Sequence, residues 1–179
     1  VATSVKFLDN VLDVAQYPLE KIAEQVKKLR RIGLGFTGLG DAFVMMKIKY
    51  GGEQSKELSQ KIAKSLRDSS YEASALLAKE KGKFLACDIE KILQSNFIKK
   101  LPKSIRDIIK ENGLRNVGIN TIAPTGTISL TLGQNCSSGI EPIFALEYTR
   151  KVRTKNDPDE YTEQKIMDYA WLVYKKLHS

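Results

Sequence analysis

The chain has 179 residues, of which 42% are hydrophobic and 28% charged, as is ordinary for a globular protein with a sizeable core. It contains no run of about eighteen apolar residues, which excludes a transmembrane helix, and two cysteines are too few for a disulfide scaffold. We therefore expect one cytoplasmic domain spanning residues 1–179, and from the first residue, Val rather than Met, we expect a processed or excised piece.

Charge is unevenly distributed along the chain. Lys and Arg number 29 against 21 Asp and Glu, a net charge of +8, yet residues 116–149 contain no Lys or Arg. Lysines spread over amphipathic helices are typical of a solvated face rather than of a nucleic-acid surface. We therefore expect no nucleic-acid partner, and the segment without basic residues becomes the feature of interest.

Apolar residues at helical spacing predict a mostly helical chain. In chain order, helices are expected at residues 4–15, 18–30, 41–50, 54–81, 88–95, 102–112 and 158–177. Thr3 or Ser4 is expected to cap the first helix, and Asp88 the fifth. A short buried strand is expected within the glycine-rich segment 31–40, and strands rich in apolar, aromatic or β-branched residues are expected at 116–123 and 144–152. The sequence thus predicts an α-rich α/β fold, with several helices around a few short strands.

A glycine-rich segment begins at Gly33. The spacing Gly33-x-Gly35-x-x-Gly38 matches the dinucleotide-binding fingerprint, which requires a hydrophobic strand before the first glycine. Only Ile32 is available for such a strand, because residues 26–31 are the end of a basic amphipathic helix. Close packing of a strand against a helix is the favoured explanation of these glycines, and a small dinucleotide-binding dehydrogenase is the alternative.

A second glycine segment, residues 120–129, has the sequence Asn-Thr-Ile-Ala-Pro-Thr-Gly-Thr-Ile-Ser. A strand leads into Pro124, and hydroxyls and unhindered backbone N–H groups follow it. If a helix begins here, its first turn presents unpaired N–H donors and the positive end of the helix dipole, which bind phosphate without a lysine. A capped helix that binds no ligand is the alternative at this point.

Other chemistries find little support in the sequence. The sole histidine, His178, is the penultimate residue, so a nucleophile–histidine pair in a packed site is not expected. Cys87 and Cys136 have no nearby histidine and predict no metal site. Cys136 is either a reactive thiol or a small buried filler. Glu141 could act as an acid or a base, or it could be a buried structural residue. Since these residues form no complete catalytic set, we predict no catalytic residue.

Two sets of sequence blocks resemble a known family. Residues 30–41, Arg-Arg-Ile-Gly-Leu-Gly-Phe-Thr-Gly-Leu-Gly-Asp, preceded by residues 7–13 and 17–19, resemble the catalytic subunit of ribonucleotide reductases. Residues 123–129, followed by Ser-Ser-Gly-Ile-Glu-Pro at 137–142, resemble the adenosylcobalamin-dependent class. The resemblance covers the chain from about Ser4 to Val152, with the blocks in the family's order and spacing.

The resemblance implies a fold and a binding site. The family's fold is a ten-stranded α/β barrel with a catalytic finger loop inside it, in which residues 32–36 and 117–122 would be barrel strands. One segment matches the loop that holds the diphosphate of the ribonucleotide, and its residues are Pro124, Thr125, Gly126, Thr127, Ile128 and Ser129.

The resemblance also implies what this chain lacks. The family's radical-forming Asn-x-Cys-x-Glu pattern is absent from the sequence, so we expect a C-terminal portion of the barrel that is inactive by itself. For the complete enzyme the family implies adenosylcobalamin, a ribonucleoside diphosphate or triphosphate, the remaining N-terminal part of the reductase, and a thiol reductant such as thioredoxin. The alternatives are the large subunit of an iron-dependent class I reductase and a non-catalytic nucleotide- or RNA-binding module.

Overall fold

The computed structural model describes residues 1–153 and 161–178. The protein is α-rich, with one two-stranded antiparallel sheet among the described residues. The helices are α1 (Ala2–Val14), α2 (Glu20–Leu29), α3 (Leu39–Met45), α4 (Glu53–Lys81), α5 (Ile89–Gln94), α6 (Lys103–Asn112), α7 (Gly126–Thr131) and α8 (Tyr169–His178), with a 3-10 turn at Ile98–Lys100. The strands are β1 (Glu147–Arg153) and β2 (Tyr161–Met167). Nowhere in the described ranges is a helix both long and apolar enough to cross a membrane.

The residues pack into two compact units. The first contains residues 1–35 and 59–121, and the second contains residues 36–58 and the chain from 122 onward. The larger hydrophobic core lies in the first unit, where Ile105 and Ile109 of α6 pack with Phe84 and Leu114. Cys87 is buried in this core, as expected for a small apolar filler.

Several predicted helix boundaries are confirmed. The longest helix, α4, begins one residue before the predicted start and ends at Lys81 as predicted. The Asp88 carboxylate accepts a hydrogen bond from the Lys91 amide at 3.2 Å and caps α5. Gly113 ends α6 with a φ of +74°, which favours a residue without a Cβ. These ends are set by local chemistry, and the sequence predicts them well.

Two helix ends differ from the prediction. Neither Thr3 nor Ser4 caps α1, because the helix begins at Ala2 and has no side-chain cap. The third helix ends at Met45 rather than near residue 50, since the chain turns there and Lys47 adopts a left-handed conformation with a φ of +56°.

The predicted helix at 158–177 is wrong over residues 161–167. Those residues form β2, which pairs with β1 in a register that sets Tyr148 opposite Ile166. Pairing with β1 provides hydrogen-bond partners for the backbone of residues 161–167, although their apolar spacing predicts a helix. Helix α8 begins only after Asp168. The predicted start at Pro158 lies outside the described residues. The expected strand at 144–152 is present as β1, shifted to Glu147–Arg153.

The two other expected strands, at 32–36 and 116–123, form one parallel bridge between Leu34 and Asn120. The Ile32 amide donates to the Gly118 carbonyl at 2.9 Å, and the Thr121 amide donates to the Leu34 carbonyl at 3.0 Å. The segments are therefore extended and paired in parallel, but the pairing is too short to form a named strand in the described chain. The α-rich architecture is thus present, whereas the ten-stranded barrel remains an inference.

The glycine-rich segment is packed closely, as the sequence predicts. A Cβ on Gly33 would lie 2.6 Å from the Thr121 methyl carbon, and one on Gly40 would lie 2.9 Å from the Glu141 carbonyl oxygen. Real Cβ atoms do not approach that closely, so the backbone at Glu141 leaves no room for a side chain at position 40, whereas a Cβ at position 33 would require the exposed Thr121 side chain to move. Residues 20–29 before the segment form α2 rather than a strand. The described chain therefore lacks the hydrophobic strand that a dinucleotide-binding turn requires before its first glycine.

Candidate functional site

The six predicted phosphate-binding residues lie on one turn in the second unit, where α7 begins. Thr125 is the N-cap of α7 and adopts a left-handed conformation with φ 52° and ψ 24°. The first helical hydrogen bond runs from the Ser129 amide to the Thr125 carbonyl at 2.8 Å. The amides of Gly126, Thr127 and Ile128 have no hydrogen-bond partner among residues 1–153 and 161–178, so the turn presents three open N–H donors.

The Thr125 hydroxyl does not cap its own helix. It donates to the Thr37 hydroxyl at 3.1 Å and accepts from the Gly139 amide at 2.9 Å. The Thr37 hydroxyl in turn donates to the Ser137 carbonyl at 2.7 Å. These bonds hold the turn against two other segments of the second unit.

The other end of the turn is held by Ser129, whose hydroxyl is buried. It donates to the Gly126 carbonyl at 2.9 Å and lies 3.1 Å from the Ser138 hydroxyl. Thr127 and Ile128 are exposed, as is Pro124. Hydrogen bonds therefore fix the side chains of Thr125 and Ser129, whereas those of Pro124, Thr127 and Ile128 are exposed.

A cleft of about 210 Å³ opens beside the turn. Gly126 and Ser129 line it, together with Asn135, Cys136, Ser137, Ser138, Glu141, Phe144, Tyr148 and Asp168, among others. No lysine or arginine is among the lining residues that the structure describes. A ligand group held here would contact amides and hydroxyls, which suit an oxyanion.

Two buried carboxylates, Asp41 and Asp168, lie beside the cleft. Both accept a hydrogen bond from the Ala170 amide, at 2.8 Å and 3.0 Å respectively. Asp41 also accepts from the Ser137 amide, and its own amide donates to the Ser137 hydroxyl. Burial, with the neighbouring charge of Asp41 and a hydrogen bond to it, raises the pKa of Asp168 to about 6.

Sequence reasoning missed Asp168, Asp41 and Thr37. Asp168 directly precedes α8, and an Asp in that position is a common helix cap. This capping signal is in the sequence, but the helix predicted at 158–177 includes Asp168 and so conceals it. Asp41 and Thr37 carry no such signal, because their partners lie about a hundred residues away in the chain.

The remaining candidates separate in space. Cys136 is half-buried and lines the cleft, with its Sγ 3.8 Å from the Thr37 hydroxyl oxygen. Glu141 lines the same cleft and is exposed, so it is not the buried structural residue considered above. His178 is exposed on α8 and packs against Tyr174. In the described ranges no group of three His, Cys, Asp or Glu side chains could hold a metal ion.

Comparison with known proteins points to one family. A family model described as the barrel domain of ribonucleotide reductase matches residues 1–175. The vitamin B12-dependent ribonucleoside-diphosphate reductase of Thermoplasma acidophilum is 38% identical over 152 residues, which is 85% of this chain and 18% of that protein. The enzyme of the same name from Mycobacterium tuberculosis is 34% identical over 149 residues, 83% of this chain and 19% of its own length.

A third relative is the alpha subunit of the ribonucleoside-diphosphate reductase of Chlamydia muridarum. It is 30% identical over 166 residues, which is 80% of this chain and 16% of that protein. The chain thus spans about a fifth of the length of the curated relatives that it matches.

Proposed function

The chain belongs to the ribonucleotide reductase family, in the barrel domain, and from this premise we propose that it is a portion of a vitamin B12-dependent ribonucleoside-diphosphate reductase. The complete enzyme reduces ribonucleotides to deoxyribonucleotides by cysteinyl-radical chemistry. The B12-dependent class is favoured over the iron-dependent class because relatives named as B12-dependent are 38% and 34% identical, against 30% for the Chlamydia muridarum alpha subunit.

In this proposal the turn at the start of α7 holds the diphosphate of the ribonucleotide. The residues are Pro124, Thr125, Gly126, Thr127, Ile128 and Ser129. The observation that carries the proposal is the row of three open amides, from Gly126 to Ile128, next to a cleft without basic side chains. Amides at a helix start bind phosphate oxygens directly, and Gly126 adds no side chain that would keep them apart.

The contribution of this chain is positional. Binding energy from the diphosphate, which does not react, fixes the orientation of the ribose relative to the radical-forming loop. The cleft of about 210 Å³ is smaller than the roughly 300–1,000 Å³ of whole-ligand pockets. It therefore suits a phosphate group, with the nucleoside extending toward other parts of the reductase.

Adenosylcobalamin would be the cofactor of the proposed enzyme, by resemblance to its B12-dependent relatives, and would supply the radical chemistry. The described residues do not fit this group. The cleft is too small for a corrin ring, and the sole histidine is exposed on α8 and packed against Tyr174. We therefore assign the cofactor's site, and the Asn-x-Cys-x-Glu pattern that this sequence lacks, to other parts of the reductase.

The proposal extends to partners and organisation. The whole chain, residues 1–179, acts as one portion of a ten-stranded catalytic barrel, and the Leu34–Asn120 parallel bridge is the contact expected between two barrel strands. Its partners are the ribonucleoside diphosphate, the N-terminal part of the reductase and a thiol reductant such as thioredoxin, in the cytoplasm.

Titration with pyrophosphate, followed by amide nuclear magnetic resonance, tests the proposed site. We expect the amide signals of Gly126, Thr127 and Ile128 to shift with saturation, while those of the first unit stay unchanged. As a control, the Leu132→Ala variant should show the same shifts as the wild type, because Leu132 is 82% exposed and does not line the cleft. If saturating pyrophosphate leaves those three signals in place, the site assignment is wrong.

A second experiment tests the enzyme class on the complete reductase polypeptide. We expect turnover of a ribonucleoside diphosphate to require adenosylcobalamin and a dithiol, with no separate iron-containing subunit. Turnover that requires such a subunit and ignores adenosylcobalamin would place the protein in the iron-dependent class.

A further inference from the structure

We propose that Thr37, in the glycine-rich segment, is a positioning residue for the diphosphate turn, because its hydroxyl keeps the Thr125 hydroxyl away from the amides of α7. The inference rests on the proposed function, since it concerns how the anion-binding turn is kept open. It gives a role to a side chain in a segment whose glycines the sequence analysis explained by close packing.

The hydrogen bonds around Thr37 run in one direction. A threonine hydroxyl has a single proton to donate, and that of Thr37 goes to the Ser137 carbonyl, which can only accept, at 2.7 Å. The proton between the two threonine hydroxyls must therefore come from Thr125, at 3.1 Å. The Gly139 amide donates to the Thr125 oxygen at 2.9 Å and completes the chain.

This arrangement occupies the Thr125 hydroxyl as both donor and acceptor. A threonine at an N-cap ordinarily accepts a hydrogen bond from the second or third amide of its helix, which here would be Thr127 or Ile128. Thr125 makes no such bond. If the Thr37 hydroxyl is removed, the Thr125 hydroxyl loses its acceptor and keeps only the hydrogen bond from the Gly139 amide, so it can rotate toward its own helix more easily. An amide proposed to bind phosphate would then be capped internally.

The backbone around Thr37 is well placed for this role. Thr37 is half-buried, and the next residue, Gly38, has a φ of +83° and donates its amide to the same Ser137 carbonyl at 2.8 Å. The left-handed conformation of Thr125 is unfavourable for a β-branched residue and persists only where neighbouring groups hold it. The Thr37 hydroxyl is one of the two groups that hold its side chain.

The test compares three variants of the full 179-residue chain. Thr37→Val removes the hydroxyl and keeps the shape, and Thr37→Ser restores the hydroxyl. Thr131→Val is the matched control, since the Thr131 hydroxyl is exposed and bonds only within α7, to the Thr127 carbonyl at 2.8 Å. Each variant is measured for pyrophosphate affinity and for hydrogen exchange at the amides of residues 126–128.

We expect Thr37→Val to weaken pyrophosphate binding by about tenfold, the effect of one lost hydrogen bond. Hydrogen exchange at Thr127 or Ile128 should slow without pyrophosphate, because the Thr125 hydroxyl then caps one of them. Thr37→Ser should return both readouts to wild-type values, and the Thr131 control should change neither. A purely structural role for Thr37 would not slow exchange at those amides.

Other outcomes overturn the inference. Unchanged affinity and exchange in Thr37→Val would mean that the hydroxyl does not position the turn, and failure of Thr37→Ser to rescue would mean that packing rather than hydrogen bonding is at work. If Thr37→Val does not fold, Thr37→Ala is measured by the same criteria. If the wild type binds no pyrophosphate, the proposed function fails, and the exchange data alone still decide whether Thr37 controls Thr125.

Discussion

Arg30 and Asp9 form a buried ion pair in the first unit. The Arg30 Nε donates to the Asp9 Oδ1 at 2.8 Å, and its Nη2 donates to the Asp9 carbonyl at 3.0 Å. Arg115 donates to the other carboxylate oxygen at 3.1 Å, and the Asn116 side chain donates to Oδ1 at 2.9 Å. Asp9 is fully buried, so its charge is compensated only by these partners.

Asp9→Asn should therefore destabilise the protein strongly. The substitution leaves Arg30 with only the partly exposed Asp13 and removes the ion pair of Arg115, and breaking a buried ion pair costs about 3–5 kcal/mol. Asp13→Asn is the control, because Asp13 also pairs with Arg30 at 2.8 Å but is 44% exposed, and exposed pairs contribute about 1 kcal/mol or less. Urea unfolding measures both, and equal losses for the two variants would contradict the assigned roles.

Stability should also fall in acid through Asp9. Burial by itself raises the pKa of Asp9, but hydrogen bonds and charges from Arg30 and Arg115 outweigh it and hold the pKa below the ordinary value of 3.8. A carboxyl with a lowered pKa contributes stability above its unfolded pKa and loses it as pH falls through the folded value. The free energy of unfolding should thus drop below about pH 4, and this drop should be smaller in Asp9→Asn.

Asp168 should show the opposite dependence. Its pKa is raised from 3.8 to about 6, so the protonated form is favoured in the folded state and its contribution is lost as pH rises between those values. Asp168→Asn mimics the protonated form and should remove this loss, so that the variant gains stability relative to wild type at pH 7. Glu163→Gln, at an exposed position on β2, is the control. A variant less stable than wild type at pH 7 would contradict the raised pKa of Asp168.

Two glycine substitutions should separate binding from folding. A Cβ on Gly126 meets nothing within 4 Å, whereas one on Gly40 would lie 2.9 Å from the Glu141 carbonyl and the Ser137 hydroxyl. Gly126→Ala should keep wild-type stability and weaken pyrophosphate binding severalfold, because its methyl group enters the cleft. Gly40→Ala should lower the thermal midpoint. Unchanged pyrophosphate binding in Gly126→Ala would show that the anion does not approach this glycine.

The 179-residue chain should show no reductase activity by itself. It lacks the Asn-x-Cys-x-Glu pattern of the family's radical chemistry, and the proposed role of the turn is to orient substrate. The assay is deoxyribonucleotide formation from a ribonucleoside diphosphate with adenosylcobalamin and a dithiol. Measurable turnover by this polypeptide would contradict the division of roles proposed above.

The sequence predicted those parts of the site that are contiguous in the chain. Residues 124–129 form one turn with open amides, as their composition indicated, because a helix start depends mostly on its own few residues. Asp88 begins α5 and Gly113 ends α6 for the same reason. The residues around the turn were not predictable in this way, since Thr37 reaches Thr125 across 88 positions.

Pattern alone thus indicated the family, the helical character and the turn at residues 124–129, because these follow from short runs of residues with fixed local preferences. Only the tertiary structure decided that residues 161–167 pair as a strand with β1, and that Asp41 and Asp168 meet at Ala170. Strand pairing and buried polar contacts depend on which distant segments pack together. Tertiary packing overrides local preference where a backbone segment gains a hydrogen-bonded partner strand or a charged group is desolvated.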